Sequence, residues 1–484
     1  MASKEKNIRP TEFSRRISEY ISESGYTVYK ISQITGLGRT AIQHIMSGKF
    51  VPTRDFFDKL CAVFPITPAQ KEELTDLYIK QKFGNKIYCE RKQIRSIIEN
   101  LPQYYINVQR PTVPHGTVEL HCEKAVTGLL NVNQYVIGAI SRELQKENPH
   151  ILTTIPFGNK LMFDNVLQLI GLFSSDAVFE HYLRLFKYGD DDLNENLRVL
   201  EDVLKMSVNG GMIYQPYCYY AYKNTDDDNL SVFPYCLLTS EYVVFLTLDY
   251  RSAAISSDKR ILDIARSHFE KLRLISSVMV ETVDNKNMFD IFARSTGMYD
   301  KSLEYQPCLT RYLTWDIISA RIKDIPERGY ILKTVKDSFF AAERAGAAEE
   351  QPAVNVFTRS GLEQFAETGC MVNMPGQLLE PLSVSERIAI LNSMKKDVGS
   401  YYKMIDKNKL NVPDFIQIIY LNNQSCIIAC LMEDRKFCGI ISERSLCGSF
   451  DDFIRSLYEN GLTADDSEVL AAIDECIKRL SGDK

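Results

Sequence analysis

Twelve cysteines occur in the 484-residue chain, and none forms a CxxC pair. Without such pairs, or a CxxC…HxxxH array, the sequence offers little for a structural zinc site. No apolar run approaches the roughly 20 residues that a membrane-spanning helix needs. The opening MASKEKNIRP has neither an apolar core nor a small-residue cleavage site, so it does not read as a secretory leader. The phosphate loop GxxxxGKS/T, the dinucleotide GxGxxG, the GxSxG elbow and the HExxH metal motif are also missing. These absences point to a soluble, cytoplasmic, non-enzymatic chain that needs no cofactor, no metal and no membrane.

Composition supports a folded protein: 45% of residues are apolar and 25% charged. The length suggests two to four domains. The net charge of −6 is unevenly spread. Residues 1–84 carry 13 Lys+Arg against 9 Asp+Glu, a net of +4, which leaves −10 for the other 400. A basic head on an acidic body is expected when one module meets phosphate and the rest does not. Cys426, Cys430, Cys438 and Cys447 sit among isoleucines and alanine, the surroundings of core thiols, with a metal or redox role as the alternative. The clusters Asp190–Asp192 and Asp226–Asp228 read as solvated turns, or as loops able to bind a divalent cation.

The first 84 residues read as five short helices. Thr11, Thr27, Thr53 and Thr67 are N-cap candidates, and Thr67-Pro68-Ala69-Gln70 has the form of a capping box with proline at the first helical position. The body mixes helical and strand patterns. Helices are expected over 118–147 (with a break near Asn131–Asn133), 161–173, 192–206, 261–274, 361–367, 383–398 and at the C-terminus. Strands are expected over 151–156, 212–222, 234–238, 242–249, 252–257, 415–430 and 436–442. Residues 345–352 read as a loop or linker. Residues 243–274 and 427–458 both run strand, charged turn, strand, helix. This is either a duplicated unit or a common β-hairpin–helix recurring by chance. The expected organisation is an all-α head, residues 1–84, followed by α/β segments 85–280 and 281–484 for sensing or assembly.

A tyrosine-rich stretch, Tyr214, Tyr217, Tyr219, Tyr220, Tyr222 and Tyr235, suits either ordinary sheet packing or an effector pocket. Of the six histidines, none is followed two residues later by lysine. That excludes the His-x-Lys pair of phospholipase-D-type hydrolases.

The strongest pattern is VYKISQITGLGRTAIQHIMS, residues 28–47. Gly36 can make a tight turn between two short helices. Leu37, Ile42 and Ile45 are expected to meet Ile31 and Ile34, leaving Arg39, Thr40, Gln43, His44 and Ser47 outward. Arg and Gln can form paired hydrogen bonds to base edges, and Thr and Ser can reach bases or phosphates. Residues 11–82 resemble the Cro/repressor (XRE) helix-turn-helix family with its lambda-repressor-like five-helix arrangement. One departure is Ser32, where many members carry alanine against the turn. The resemblance covers about 15% of the chain. It implies a bacterial transcription regulator whose Arg39, Thr40 and Gln43 read bases, with His44 and Ser47 flanking. The partners it implies are a double-stranded DNA operator, a second copy in a homodimer, and an effector for the body. The alternatives are a phage- or defence-linked repressor with a purely structural oligomerisation body, and an enzyme with a DNA-binding head.

Overall fold

The computed structural model describes residues 10–105, 120, 124–156, 158–170, 177–187, 192–210, 213–222, 231–284, 291, 295, 298–326, 328–345, 353–372, 379–432 and 435–482. Among them are 16 α-helices and two mixed sheets. The clusters Asp190–Asp191 and Asp226–Asp228 and the stretch 346–352 lie outside the described residues. The chain forms two compact units, 1–93 and 94–484.

In the first unit, α1 (Glu12–Glu23), α2 (Val28–Thr35), α3 (Arg39–Met46), α4 (Arg54–Cys61) and α5 (Pro68–Phe83) surround one core. Threonines 11, 27, 53 and 67 cap four of these helices through their hydroxyls, and Gln70 completes the box at α5. Each cap satisfies backbone N–H groups that the first helical turn leaves without partners. The core consists of Phe13, Ile17, Ile31, Ile42, Ile45, Phe57, Leu60 and Tyr78 with their neighbours, and Phe57 stacks on Tyr78 at 4.5 Å. Gly84 separates α5 from α6 (Asn85–Asn100), and the division between the units falls inside α6. The start of α6 is tied to α5 because the Tyr88 hydroxyl donates to Asp76 at 2.5 Å.

The second unit carries both sheets. The first comprises β1 (Lys124–Thr127), β2 (His150–Thr153), β3 (Val178–Lys187), β4 (Tyr214–Tyr222), β5 (Tyr235–Leu238), β6 (Val243–Leu246), β7 (Ser252–Ser256) and β8 (Ser277–Val278). Its order is β1-β7-β6-β5-β2-β3-β4-β8. Its helices are α7 (Leu129–Glu143), α8 (Lys160–Ile170), α9 (Asp192–Gly210) and α10 (Lys259–Ile275). The second sheet holds β9 (Val280–Thr282), β10 (Tyr299–Glu304), β11 (Val354–Phe357), β12 (Tyr402–Met404), β13 (Ile416–Leu421), β14 (Cys426–Leu431) and β15 (Lys436–Ile441). Read from β9 its order is β9-β15-β14-β13-β10-β11-β12. Its helices are α11 (Trp315–Arg321), α12 (Arg328–Ala345), α13 (Arg359–Thr368), α14 (Val384–Met394), α15 (Arg444–Glu459) and α16 (Asp466–Ser481).

The two sheets therefore repeat one plan. An edge strand comes first in the chain, three parallel strands follow, and an antiparallel meander of three strands runs back to that edge. The echo seen in the sequence corresponds to β6-β7-α10 and β14-β15-α15, whose helices are capped by Asp258 and Glu443. Met279 alone separates β8 from β9, so the chain passes directly from one sheet to the other.

Several local expectations are corrected. Residues 124–127 are a strand because they pair with β7, and Gly128, at φ 95°, starts the helix only at Leu129. That helix runs unbroken past Asn131, whose amide donates to the Thr127 carbonyl, while Asn133 is buried. The strand group expected over 415–430 resolves into two strands, β13 and β14, joined by a turn with Gln424 at positive φ.

Candidate nucleic-acid interface

The short turn between α2 and α3 is built by three residues. Gly36 takes the left-handed conformation, φ 72°, which a side chain would strain. The Ser32 hydroxyl donates to the Leu37 carbonyl at 2.6 Å, and the Thr35 hydroxyl to the Ile31 carbonyl at 2.7 Å. Serine in place of alanine at position 32 thus adds a bond that holds the turn. Ile31, Leu37, Ile42 and Ile45 are buried and lock α3 to the rest of the head. Ile34 is not among them. At 49% exposure it faces out from the last turn of α2, so Leu37, Ile42 and Ile45 are buried with Ile31 alone of the two α2 isoleucines.

Five residues were expected to face outward. Arg39, Thr40, Gln43 and His44 are exposed, and Ser47 is half-buried with its hydroxyl donating to the His44 carbonyl at 3.1 Å. The geometry adds residues that the sequence reading left out. Tyr29 is 55% exposed, accepts from the Gln33 amide at 2.8 Å, and lies beneath the Arg39 guanidinium at 5.4 Å. Stacking of this kind limits the directions available to the Arg39 side chain. Its signal was Tyr29 itself, a large aromatic at a position that the apolar periodicity of α2 does not use.

Charge along this segment is one-sided. From Ser24 to Arg54 the sequence contains Lys30, Arg39, Lys49 and Arg54 and no acidic residue. Arg54 turns to Asp58 at 2.8 Å, whereas Lys30, Arg39 and Lys49 have no carboxylate partner among the described residues. The α3 N-cap is Gly38, which supplies no side-chain cap, so the first amides of the helix keep their hydrogen-bonding capacity.

The tyrosine stretch does not converge on one pocket. Successive strand residues alternate between faces. Tyr214 and Tyr220 therefore face one side of β4, and Tyr217 and Tyr219 the other. Tyr214 is buried and bonds His181 Nδ1 at 3.1 Å, while Tyr217 stacks on Tyr182 at 5.1 Å. Tyr219 is half-buried, and the Tyr220 hydroxyl donates to Glu443, the cap of α15. Tyr235 stacks on Tyr250 at 5.4 Å. The side chain of Tyr222 lies outside the described part. Tyr214, Tyr217, Tyr219 and Tyr235 pack the sheet.

No family model matches this chain, and no curated protein does. One solved structure, that of a phosphatidylserine synthase from Haemophilus influenzae Rd KW20, is similar at 7% identity and a TM-score of 0.22. The match covers 72% of this chain and 92% of that one. A likeness that weak carries no functional argument.

Two further clusters are held by bonds and burial within the fold. Glu180 is buried on β3 and accepts from His150 Nε2 at 3.1 Å, the Tyr182 hydroxyl and Arg273. Burial alone would raise its pKa. The bonds from His150, Arg273 and Tyr182 outweigh it and hold the carboxyl at about 2. A His–carboxylate pair is thus present, with both carboxylate oxygens engaged in bracing β2 and β3 to α10. Cys426, Cys430, Cys438 and Cys447 are buried, and burial pushes the last three thiols up to about 12, which leaves them unreactive at neutral pH. Among the described residues no group of His, Cys, Asp and Glu could hold a metal, and no helix is long and apolar enough to cross a membrane.

Proposed function

We propose that the first unit binds double-stranded DNA through α3, and that the chain is a sequence-specific transcription regulator of the XRE kind. One observation carries the reading. A buried framework of Ile31, Leu37, Ile42 and Ile45 presents Arg39, Thr40, Gln43 and His44 to solvent from a stretch of chain, Ser24 to Arg54, that contains no acidic residue. Arg39 and Gln43 lie one helical turn apart near the start of α3, where side chains can reach base edges in the major groove. Lys30 and Lys49 flank them as phosphate contacts. The uncapped first amides of α3 suit a phosphate as well.

A single recognition helix covers few base pairs, so the proposal includes a homodimer on two half-sites about one helical turn apart. In this reading residues 94–484 supply the dimer contact and respond to an effector. The test is selection of bound fragments from a random DNA pool by the purified chain, followed by titration at several salt concentrations. A recovered motif with two related half-sites and a binding constant that falls steeply with salt supports the reading. Recovery of no motif removes sequence-specific recognition.

A further inference from the structure

The positive charge of the first unit is not centred on α3. Residues 1–92 carry 16 Lys+Arg against 10 Asp+Glu, a net of +6. Of this, +4 lies in residues 80–92, where Lys80, Lys82, Lys86, Arg91 and Lys92 stand against Glu90 alone. Glu90 is buried, whereas Lys82, Lys86 and Lys92 are exposed. Helix α3 contributes one permanent cation, Arg39, to the same total.

The fold gathers these cations at the corner between α5 and α6. Gly84, at φ 89°, makes the turn there in a conformation that side chains rarely adopt. The Tyr88 hydroxyl donates to Asp76, so a carboxylate of α5 is engaged by a neutral donor rather than by a lysine. Glu73, also on α5, turns to Arg16 at 3.4 Å. Two rings then hold four of the cations. Lys80 Nζ lies 4.7 Å and Lys92 Nζ 5.8 Å from the centre of the Tyr88 ring. Lys82 Nζ lies 5.0 Å and the Arg91 guanidinium 4.5 Å from the centre of the Phe83 ring. A ring attracts a cation through its quadrupole without cancelling the charge, so these contacts orient the side chains and leave their field intact. Lys80, Lys82, Lys86 and Lys92 form no ion pair among the described residues.

We propose that this corner is a second DNA contact of the first unit, one that grips the phosphate backbone and reads no bases. Four of its five cations are lysines, compact point charges that suit phosphate oxygens whatever the sequence. A duplex presents one phosphate charge per roughly 1.7 Å of its axis, so cations clustered on one corner can engage several phosphates at once. The proposal rests on the DNA-binding reading and deepens it: α3 supplies sequence preference, and the corner supplies salt-dependent affinity.

The experiment uses the full chain and follows the binding constant against salt, on a selected fragment and on a random duplex of the same length. Lys82→Gln, Lys86→Gln and Lys92→Gln together keep three flexible stems and remove three charges. All three side chains are exposed, so Tm should match the parent's. The slope of log K against log salt should fall by about 0.9 per lost contact, or about 2.7 per bound head, on both duplexes alike, with the preferred sequence unchanged. Lys86→Gln alone should lower it by about 0.9. Lys82→Arg, Lys86→Arg and Lys92→Arg together should keep the parent slope. Lys259→Gln, Lys271→Gln and Lys407→Gln, at exposed lysines of the second unit, remove the same net charge and should leave the slope unchanged. A parent-like slope in the corner variants overturns the proposal, and so does an equal fall in the second-unit control. Loss of poly-L-glutamate binding in the corner variant, with DNA binding still parent-like, identifies a surface for acidic protein instead and also overturns it. Recovery of no sequence motif, with random-duplex binding still dependent on the three lysines, supports the corner and counts against sequence-specific recognition alone.

Discussion

Arg39 and Gln43 on one side, and Ile42 on the other, separate the proposed recognition from stability within a single turn of helix. Both polar side chains are exposed, and Ile42 is fully buried. Arg39→Ala and Gln43→Ala should each cost about 1–3 kcal/mol of specific binding per half-site, with Tm almost unchanged. Ile42→Ala should instead lower stability by about 2–5 kcal/mol through the cavity it leaves. Binding titrations beside melting curves of the three variants check this; parent-like affinity in both polar variants would show that another face reads the DNA. A second prediction concerns Glu304. Burial pushes its carboxyl up to about 7 from an ordinary value of 4.5, so the folded state holds the proton more tightly than the unfolded chain. Its contribution to stability is complete below pH 4.5 and is lost as pH rises through 7. Glu304→Gln should remove that loss, leaving the variant more stable than the parent at pH 8.5. Denaturant melts at pH 5 and pH 8.5 measure it, and a parent-like pH dependence in the variant would refute it.

At the scale of elements, close approach decides where helices pack. A Cβ on Gly361, in the first turn of α13, would stand 1.9 Å from the Tyr305 carbonyl just beyond β10. Gly361→Ala should therefore force α13 off the sheet and cost roughly 3 kcal/mol or more, read as a large fall in the Tm of the second unit. The turn between α2 and α3 is a milder case. Ser32→Ala removes one hydrogen bond to Leu37 while keeping the shape of the turn, and a loss of about 1 kcal/mol in head stability is expected from denaturant melts. Some elements could not be read from the chain. β3 carries Glu180, His181 and Arg184 among its apolar residues, which hides a strand buried in the middle of a sheet. β10, β11 and β12 are short or polar, and each exists because a parallel neighbour completes its hydrogen bonds. The helices of the head, by contrast, show their caps and their 3.6-residue stripes in the sequence itself.

For the whole molecule, the proposed mode of action requires two heads. Light scattering of the full chain at micromolar concentration should give a mass near twice 55.4 kDa, and a monomer both free and on DNA would exclude the dimer. The five-helix head, its capping threonines and the outward set Arg39, Thr40, Gln43 and His44 were legible in the chain, because short-range periodicity and capping fix which way a helix faces. The repeated strand–turn–strand–helix pattern was legible for the same reason. The tertiary structure decided that both repeats continue into one shared strand order, since β2, β3 and β4 meet only through long crossovers. It also decided that the tyrosines of β4 divide between two faces and that Ile34 points outward. The bond between His181 and Tyr214 was hidden from the sequence, because β3 and β4 are far apart in the chain and adjacent only once the sheet has closed.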